Sequence, residues 1–404
     1  MVDEIGPHET VPNRLSQRQA DEKATLSHIA SIDLFPVAYP VRGYFKFFET
    51  RPGEVPTRSS IVIKITDDAG RVGWGESVPA HTWCYENAES CHATLKHYIA
   101  PKLIGHAPLD IEGAHAVMNK AVPGAFSVGM PLTKAGVDIA LHDLAGKITG
   151  GRVIEMLASA AAASVVTMSW TVNAPSLGDV EASVVEGLQR GYRSFNLKVG
   201  PPQTPEHDVA MCKLVRRLVP DCFLWPDANC GYDLETAKVL LPKFADAGCA
   251  ALESPLPPNF ISGYQSLRRQ RALPILMDEG ICSPRDLEEF IRLEMLDGVA
   301  MKHGRTGGLL PSRRCIQLLR DHGLLFMASG LTDPDISLAA ALALFAATGL
   351  DRPAALNGPQ YLAASVLKTP LPVQADQARV PDGPGLGIEV DEPKLSALKL
   401  RLAA

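Results

Sequence analysis

The chain has no Cys-x-x-Cys pair and no cysteine–histidine group at zinc-ligand spacing; its eight cysteines (84, 91, 212, 222, 230, 249, 282 and 315) are scattered. In a chain of 404 residues they read as reduced, partly buried thiols of a cytoplasmic protein, not as a disulfide framework. Basic charge is not in excess either. Lys and Arg number 39 against 45 Asp and Glu, a formal charge of -6, so the basic patches of a nucleic-acid binder are not expected. The longest apolar run, 337–350, falls short of the ~20 residues of a membrane span and reads as a buried helix. Residues 1–26 are polar and charged without an apolar segment, so a flexible N-terminal extension is expected and a signal peptide is not. There is no G-x-S-x-G element. The glycine-rich GRTGGL at 304–309 matches neither a dinucleotide fingerprint nor a P-loop and reads as a loop passing close to a substrate. Nucleophilic hydrolysis is a poor fit.

What the chain does have is a ladder. Asp227 in LWPDAN, Glu253 in AALESP, Asp278 in ILMDE and Lys302 in GVAMK each end an apolar run, at intervals of 26, 25 and 24 residues. Lys198, in SFNLKVG, ends a further run 29 residues before Asp227. Apolar strand, charged tip and amphipathic stretch, repeated, is the pattern of a parallel barrel whose strands each give one group to a shared mouth.

The chain is long enough for a barrel of ~250 residues and a second domain. From His28 the pattern is strand-like, with two alternating runs flanking a turn at Asp67-Asp68-Ala69-Gly70; after Pro79 it becomes helical over 85–104 and 110–120. Strands followed by helices indicate a small α+β domain over 27–150. The helix expected at 131–148 bridges to the barrel, over 151–372. Eight strands are expected there, at 165–170, 194–199, 223–226, 250–253, 274–278, 298–302, 324–328 and 354–357. The last segment, 373–404, holds no further β/α unit and is expected to return to the first domain. The fold class is therefore α/β, a closed parallel barrel with an α+β cap.

Barrel sites lie at the C-terminal ends of strands, so Asp227, Glu253 and Asp278 are expected to converge. Three converging carboxylates need a compensating cation, and oxygen ligands alone favour Mg²⁺. Asn229, two residues past Asp227, is expected to fix a ligand or the backbone. Glu279 cannot face the same way as Asp278 and is expected to orient a neighbour. His303 reads as structural. Lys198 and Lys302 flank the carboxylate strands as acid/base groups, a set suited to removing a proton α to a carboxylate. The expected partner is a small-molecule carboxylate, with neither nucleic acid nor membrane.

These residues, with IASIDLFPVAYPVR, VIKITDDAGRVGWGES and KAGVDIALHDLAGK, resemble the enolase superfamily and within it the muconate-lactonizing-enzyme subgroup. The resemblance implies a modified TIM barrel, (β/α)7β, under an α+β capping domain. It also implies Mg²⁺ held by Asp227, Glu253 and Asp278, acid/base roles for Lys198 and Lys302, and assembly as a homo-oligomer. Capping loops around 41–52 and 79–87 would set specificity. One departure stands out: the subgroup usually carries Lys-x-Lys on the second barrel strand, and here the first position is Asn196.

Three outcomes compete within the subgroup. Dipeptide epimerases carry Asp-x-Asp after the eighth strand, where this chain has Leu356-Asn357-Gly358-Pro359. Cycloisomerases of the muconate type usually carry a glutamate after the seventh strand, where this chain has SGLTDPD, with Thr332, Asp333 and Asp335. That segment is similar to the cis-3-hydroxy-L-proline dehydratases and, more distantly, to proline-betaine and hydroxyproline-betaine epimerases. The expected activity is therefore dehydration of cis-3-hydroxy-L-proline or a like hydroxy imino acid. Asp333 or Asp335 would hold the ring nitrogen, and Tyr44 and Phe47 of YFKFF would close over the ring. The alternative is a racemase or epimerase of proline-like, betaine or N-acyl amino acids. A non-catalytic binding protein would be expected to have lost lysines or carboxylates that this chain keeps.

Overall fold

The computed structural model describes residues 27–48, 55–158 and 162–402; the expected N-terminal extension and part of the 41–52 loop lie outside them. The cap begins with an antiparallel meander of β1 (Ile29–Pro40), β2 (Thr57–Asp67) and β3 (Val72–Ser77). Its second turn forms because Asp67 Oδ1 accepts from the N–H groups of Ala69 (3.1 Å) and Arg71 (2.7 Å), while Gly70 takes φ +79°. A short acidic side chain replaces the backbone acceptor, and glycine adopts that φ without strain. Helices α1 (Ala88–Thr94) and α2 (Ile111–Ala121) follow, with a π-helical stretch and a short helical turn between them.

Helix α3 (Pro131–Thr149) joins cap to barrel and is buried from Pro131 to Gly146. Its first turn is held by Glu86, which accepts from the N–H groups of Leu132 (2.9 Å) and Thr133 (2.8 Å) and from Thr133 Oγ1 (2.6 Å). Those donors have no partner within the helix, and a carboxylate at an N-terminus also meets its dipole favourably. Farther along, Asp138 accepts from Leu309 N (2.5 Å) and His115 Nε2 (2.7 Å), and Asp143 accepts from Trp74 N (2.8 Å) and Leu386 N (2.8 Å). One helix thus ties β3, a barrel loop and the C-terminal segment together. The glycines of VGWGES make this possible: a Cβ on Gly73 or Gly75 would overlap the carbonyl oxygens of Ala140 or Gly136.

Among the described residues seven parallel strands form the barrel in sequential order: β5 (Trp170–Val172), β6 (Ser194–Lys198), β7 (Phe223–Asp227), β8 (Leu252–Glu253), β9 (Ile275–Met277), β10 (Gly298–Met301) and β11 (Leu325–Ala328). Two of the expected strands need correction. The run at 165–170 divides: β4 (Val165–Thr167) leaves the barrel to pair with β13 (Gln377–Arg379), which is itself paired with β12 (Val373–Gln374). Because the apolar pattern VVTMSWTV continues unbroken to Val172, it carries no sign of this division. The strand expected at 354–357 reduces to two parallel bridges, Met168–Ala354 and Ser329–Ala355. Gln360 completes that seam, accepting from Thr171 N (3.0 Å) and donating to Thr171 O (2.8 Å), the two bonds a neighbouring strand would make.

Inside the barrel, Trp225, Ala251, Leu276, Met327 and Ala355 pack as a cluster. Three of these precede Asp227, Glu253 and Asp278 by two residues, so strand alternation turns those carboxylates toward the axis above a filled core. The C-terminal segment first pairs with β4 and then returns to the cap, where Leu398 O accepts from Ala38 N (2.9 Å) and Leu400 N donates to Pro36 O (2.9 Å). Among the described residues no helix is long and apolar enough to cross a membrane.

Candidate active site

The sheet order sets β6 and β10, which carry Lys198 and lead into Lys302, on either side of the three carboxylate strands. Lys198 is the register partner of Asp227, and Asp227 of Glu253. Lys198 Nζ donates to Asp227 Oδ2 at 2.5 Å. At the other end Lys302 Nζ donates to Asp278 Oδ2, and Nη1 of Arg305 faces Asp278 Oδ1 as an ion pair without hydrogen-bond geometry. Between them Glu253 Oε2 accepts the indole N–H of Trp225 at 2.8 Å.

Electrostatically the carboxylates differ. Burial pushes Glu253 up to about 7, and the charge of Asp227 adds to that against the opposing Lys302 and Lys198. Burial acts the same way on Asp227, but the charges of Lys198 and Lys302 outweigh it and hold its carboxyl below the usual range. Glu253 Oε1 and Asn229 Oδ1 are buried oxygens without a hydrogen-bond partner, an arrangement that asks for a cation. The donor set is all oxygen, which fits Mg²⁺. Among the described residues no three acidic, histidine or cysteine side chains are already gathered around one point, because lysines stand against Asp227 and Asp278.

Above the carboxylates lies a small cavity. Lys198, Lys302, Asn196 and Asn229 form part of its wall, Thr171, Ser329, Thr332 and Asn357 part of its rim, and Phe45, Phe47, Phe48 and Trp83 reach it from the cap. No Asp or Glu among the described residues lines it.

Several expected contacts are corrected here. Asp333 accepts from Leu331 N (3.1 Å) and Ser337 Oγ (2.8 Å), and Asp335 accepts from Val366 N (2.8 Å). Both line a separate surface pocket with Arg42, so neither is placed to hold a ring nitrogen in the cavity. Tyr44 is 68% exposed and does not line it. The GRTGGL loop does not approach it either: Gly308 packs on Asp138, and Arg305 turns inward to Asp278. Glu279 accepts from Asn229 Nδ2 at 3.2 Å, while His303 Nε2 pairs with Ser337 Oγ at 3.0 Å.

Residues outside the expected set also appear. Arg58, buried on β2, donates to Leu331 O (2.9 Å), Pro79 O (2.6 Å) and Val78 O (3.0 Å), clamping a cap loop to a barrel loop beside the cavity. Lys46 stacks over Phe47, 5.1 Å from the ring centroid. Burial and then the charge of Lys198 push Lys46 down to about 8. Trp225 alone carried a readable signal, since it lies two residues before Asp227 on the same face.

Comparison with known proteins agrees with this geometry. A family model described as enolase C-terminal domain-like matches residues 179–394. A second, for the mandelate racemase/muconate lactonizing enzyme N-terminal domain, matches residues 45–158. An N-succinyl-L-Arg/Lys racemase of Bacillus cereus is 28% identical over 381 residues, covering 92% of this chain and 97% of the relative. A chloromuconate cycloisomerase of Cupriavidus necator is 28% identical over 346 residues, covering 84% and 91%. Among solved structures, the N-succinyl Arg/Lys racemase of Bacillus cereus superposes with a TM-score of 0.84 at 26% identity over 93% of this chain and 98% of that one. The muconate lactonizing enzyme of Pseudomonas fluorescens, complexed with muconolactone, shares the fold with a TM-score of 0.84 at 23% identity over 93% and 100%.

Proposed function

The chain belongs to the mandelate racemase/muconate lactonizing enzyme family of the enolase superfamily, and from that premise we propose that it is an Mg²⁺-dependent racemase or epimerase of amino acids whose nitrogen carries no free charge. The observation that carries this reading is that Lys198 and Lys302, from strands on either side of the carboxylate triad, both line one cavity. One lysine, as the free amine, takes the proton α to the substrate carboxylate. The other, as the ammonium, delivers a proton to the opposite face. Asp227, Glu253 and Asp278 would hold the metal, which when bound supplies positive charge to the carboxylate oxygens as the enediolate forms. The aromatic residues of the cap loop exclude water above them.

The choice of substrate follows from charge. The cavity wall holds Lys198, Lys302 and Arg58, and among the described residues no Asp or Glu lines it. A free amino or imino acid would bring its cation against them, whereas an acylated nitrogen is neutral. The relative named for N-succinyl-L-Arg/Lys supports the same class. Dehydration of cis-3-hydroxy-L-proline shares the first step, but with Asp333 and Asp335 engaged in the fold its ring nitrogen finds no counter-charge among the described residues.

The test is proton exchange in deuterated water with Mg²⁺, using N-succinyl amino acids of both hands, cis-3-hydroxy-L-proline and cis,cis-muconate in parallel. Deuterium at Cα and loss of optical activity with an N-succinyl amino acid is the expected result. Water loss from hydroxyproline, or lactone from muconate, without exchange in any N-acyl compound would overturn the assignment.

A further inference from the structure

Trp83 belongs to the cap, yet it touches the site at two places. Its ring lies over Lys302, with Nζ 5.4 Å from the centroid. Its Nε1 donates to Glu279 Oε1 at 3.1 Å. Glu279 Oε1 accepts a second bond, 3.2 Å, from Asn229 Nδ2, which also donates to Asp227 Oδ2 at 3.1 Å. Asn229 N closes on Asp227 Oδ1 at 2.9 Å, and Ser254 Oγ donates to the other oxygen of Glu279. An unbroken hydrogen-bond chain therefore runs from a cap indole through Glu279 and Asn229 to Asp227.

The backbone is shaped to hold this chain. Asn229 and Ser254, each shortly past a carboxylate strand, take φ of 45° and 44°, a region that non-glycine residues enter at a cost. The turn that carries Trp83 is anchored in its own right. Trp83 N and Cys84 N both donate to Ala80 O, at 2.9 and 2.8 Å, and Arg58 grips the preceding carbonyls. Trp83 is thus fixed from the cap side, and its N–H reaches into the barrel.

We propose that Trp83 is a positioning residue that couples the cap loop to the metal centre, by orienting Glu279 and Asn229 so that Asp227 presents its oxygens to the ion. Because coupling between two sites is reciprocal, metal binding in turn holds the 79–87 loop against the barrel. Groups that orient a ligand in this way typically alter metal affinity about 10-fold or more when removed. The inference rests on the metal reading of Asp227, and the experiment separates the two.

Mn²⁺ binding to the full-length protein is measured by electron paramagnetic resonance, without substrate, for the wild type, W83F, E279A and the double variant. Phenylalanine keeps a six-membered ring beside Lys302 and removes the indole donor. The expected result is affinity lowered about 10-fold in W83F and no further loss on adding W83F to E279A. Hydrogen exchange of the 79–87 segment in the unaltered protein is expected to slow when Mn²⁺ is added, which requires no variant to fold. Unchanged affinity in W83F, an equal loss in the E279A background, or metal-independent exchange of 79–87 would each overturn the coupling. Failure of the wild type to bind Mn²⁺ at all would instead remove the metal reading, and the coupling with it.

Discussion

Trp225 donates its indole N–H to Glu253 Oε2 at 2.8 Å from within the barrel. A core residue therefore orients a metal-ligand candidate, and the packed interior and the site are one object. W225F keeps an aromatic ring in the interior but leaves that oxygen unbonded. Mg²⁺ affinity is expected to fall about 10-fold, measured by titration calorimetry, and an unchanged value would disconnect the core from the site.

Each lysine should govern one face of the substrate. K198A and K302A are each expected to slow turnover by about 10²–10⁴-fold. Single-enantiomer proton NMR in deuterated water should show that each variant loses α-exchange from one hand more than from the other. Equal retention of exchange from both hands would relocate the base.

Glu76 supplies a pH signature away from the metal. Buried on β3, it accepts from Tyr39 OH (2.9 Å) and Ser60 Oγ (2.6 Å), and burial pushes its carboxyl up to about 7 against those bonds. The folded state therefore holds the proton more tightly than the unfolded state. Stability from this group is fully present below the ordinary carboxylate range and is lost as pH rises through about 7, a change of roughly 3 kcal/mol. Denaturant unfolding from pH 4 to 8 should show the decline in the wild type and a flatter profile in E76Q.

Lys46, pushed down to about 8 by burial and by Lys198, is cationic on the acid side of that value and neutral on the other. Apparent affinity for a carboxylate substrate should weaken as pH passes 8, through KM more than kcat. In K46M the KM should be raised below pH 8, to about the level the wild type reaches above it, and should lack that step; a step that survives would assign it to another group.

The seam between cap and helix α3 tolerates no added atoms. At Gly75 a methyl group would overlap the carbonyl oxygen of Gly136, so G75A is expected to cost about 3 kcal/mol. Thermal unfolding measures this, and a small shift would show that the helix can move aside.

The ladder from Lys198 to Lys302 was legible because strand alternation is local: an apolar run fixes which way its last residue points. Tertiary partners were not. Trp83 meets Glu279, and Arg58 meets Leu331, across sequence separations that no periodicity encodes. The aspartates of TDPD were misread for a different reason. Asp333 bonds the backbone N–H of Leu331 two residues back, a local task at which short acidic side chains excel, and Asp335 bonds that of the distant Val366, so their position after a strand end implied a cavity they do not enter. Asn196 was legible as a departure, whereas the nearby cation, Lys46, comes from a loop where the sequence drew attention to the aromatic residues.

The Gln360–Thr171 pair gives the barrel two unequal halves. From β6 to β10 the ladder is made of backbone and carries or leads into all five charged residues, whereas the closing seam has two isolated backbone bridges and, beside Thr171, a side-chain amide in place of a strand. Exchanges at that clasp change the rim of the cavity without moving the carboxylates or the bases. A lineage built this way is free to trade one substrate for another at the clasp while its chemistry stays fixed.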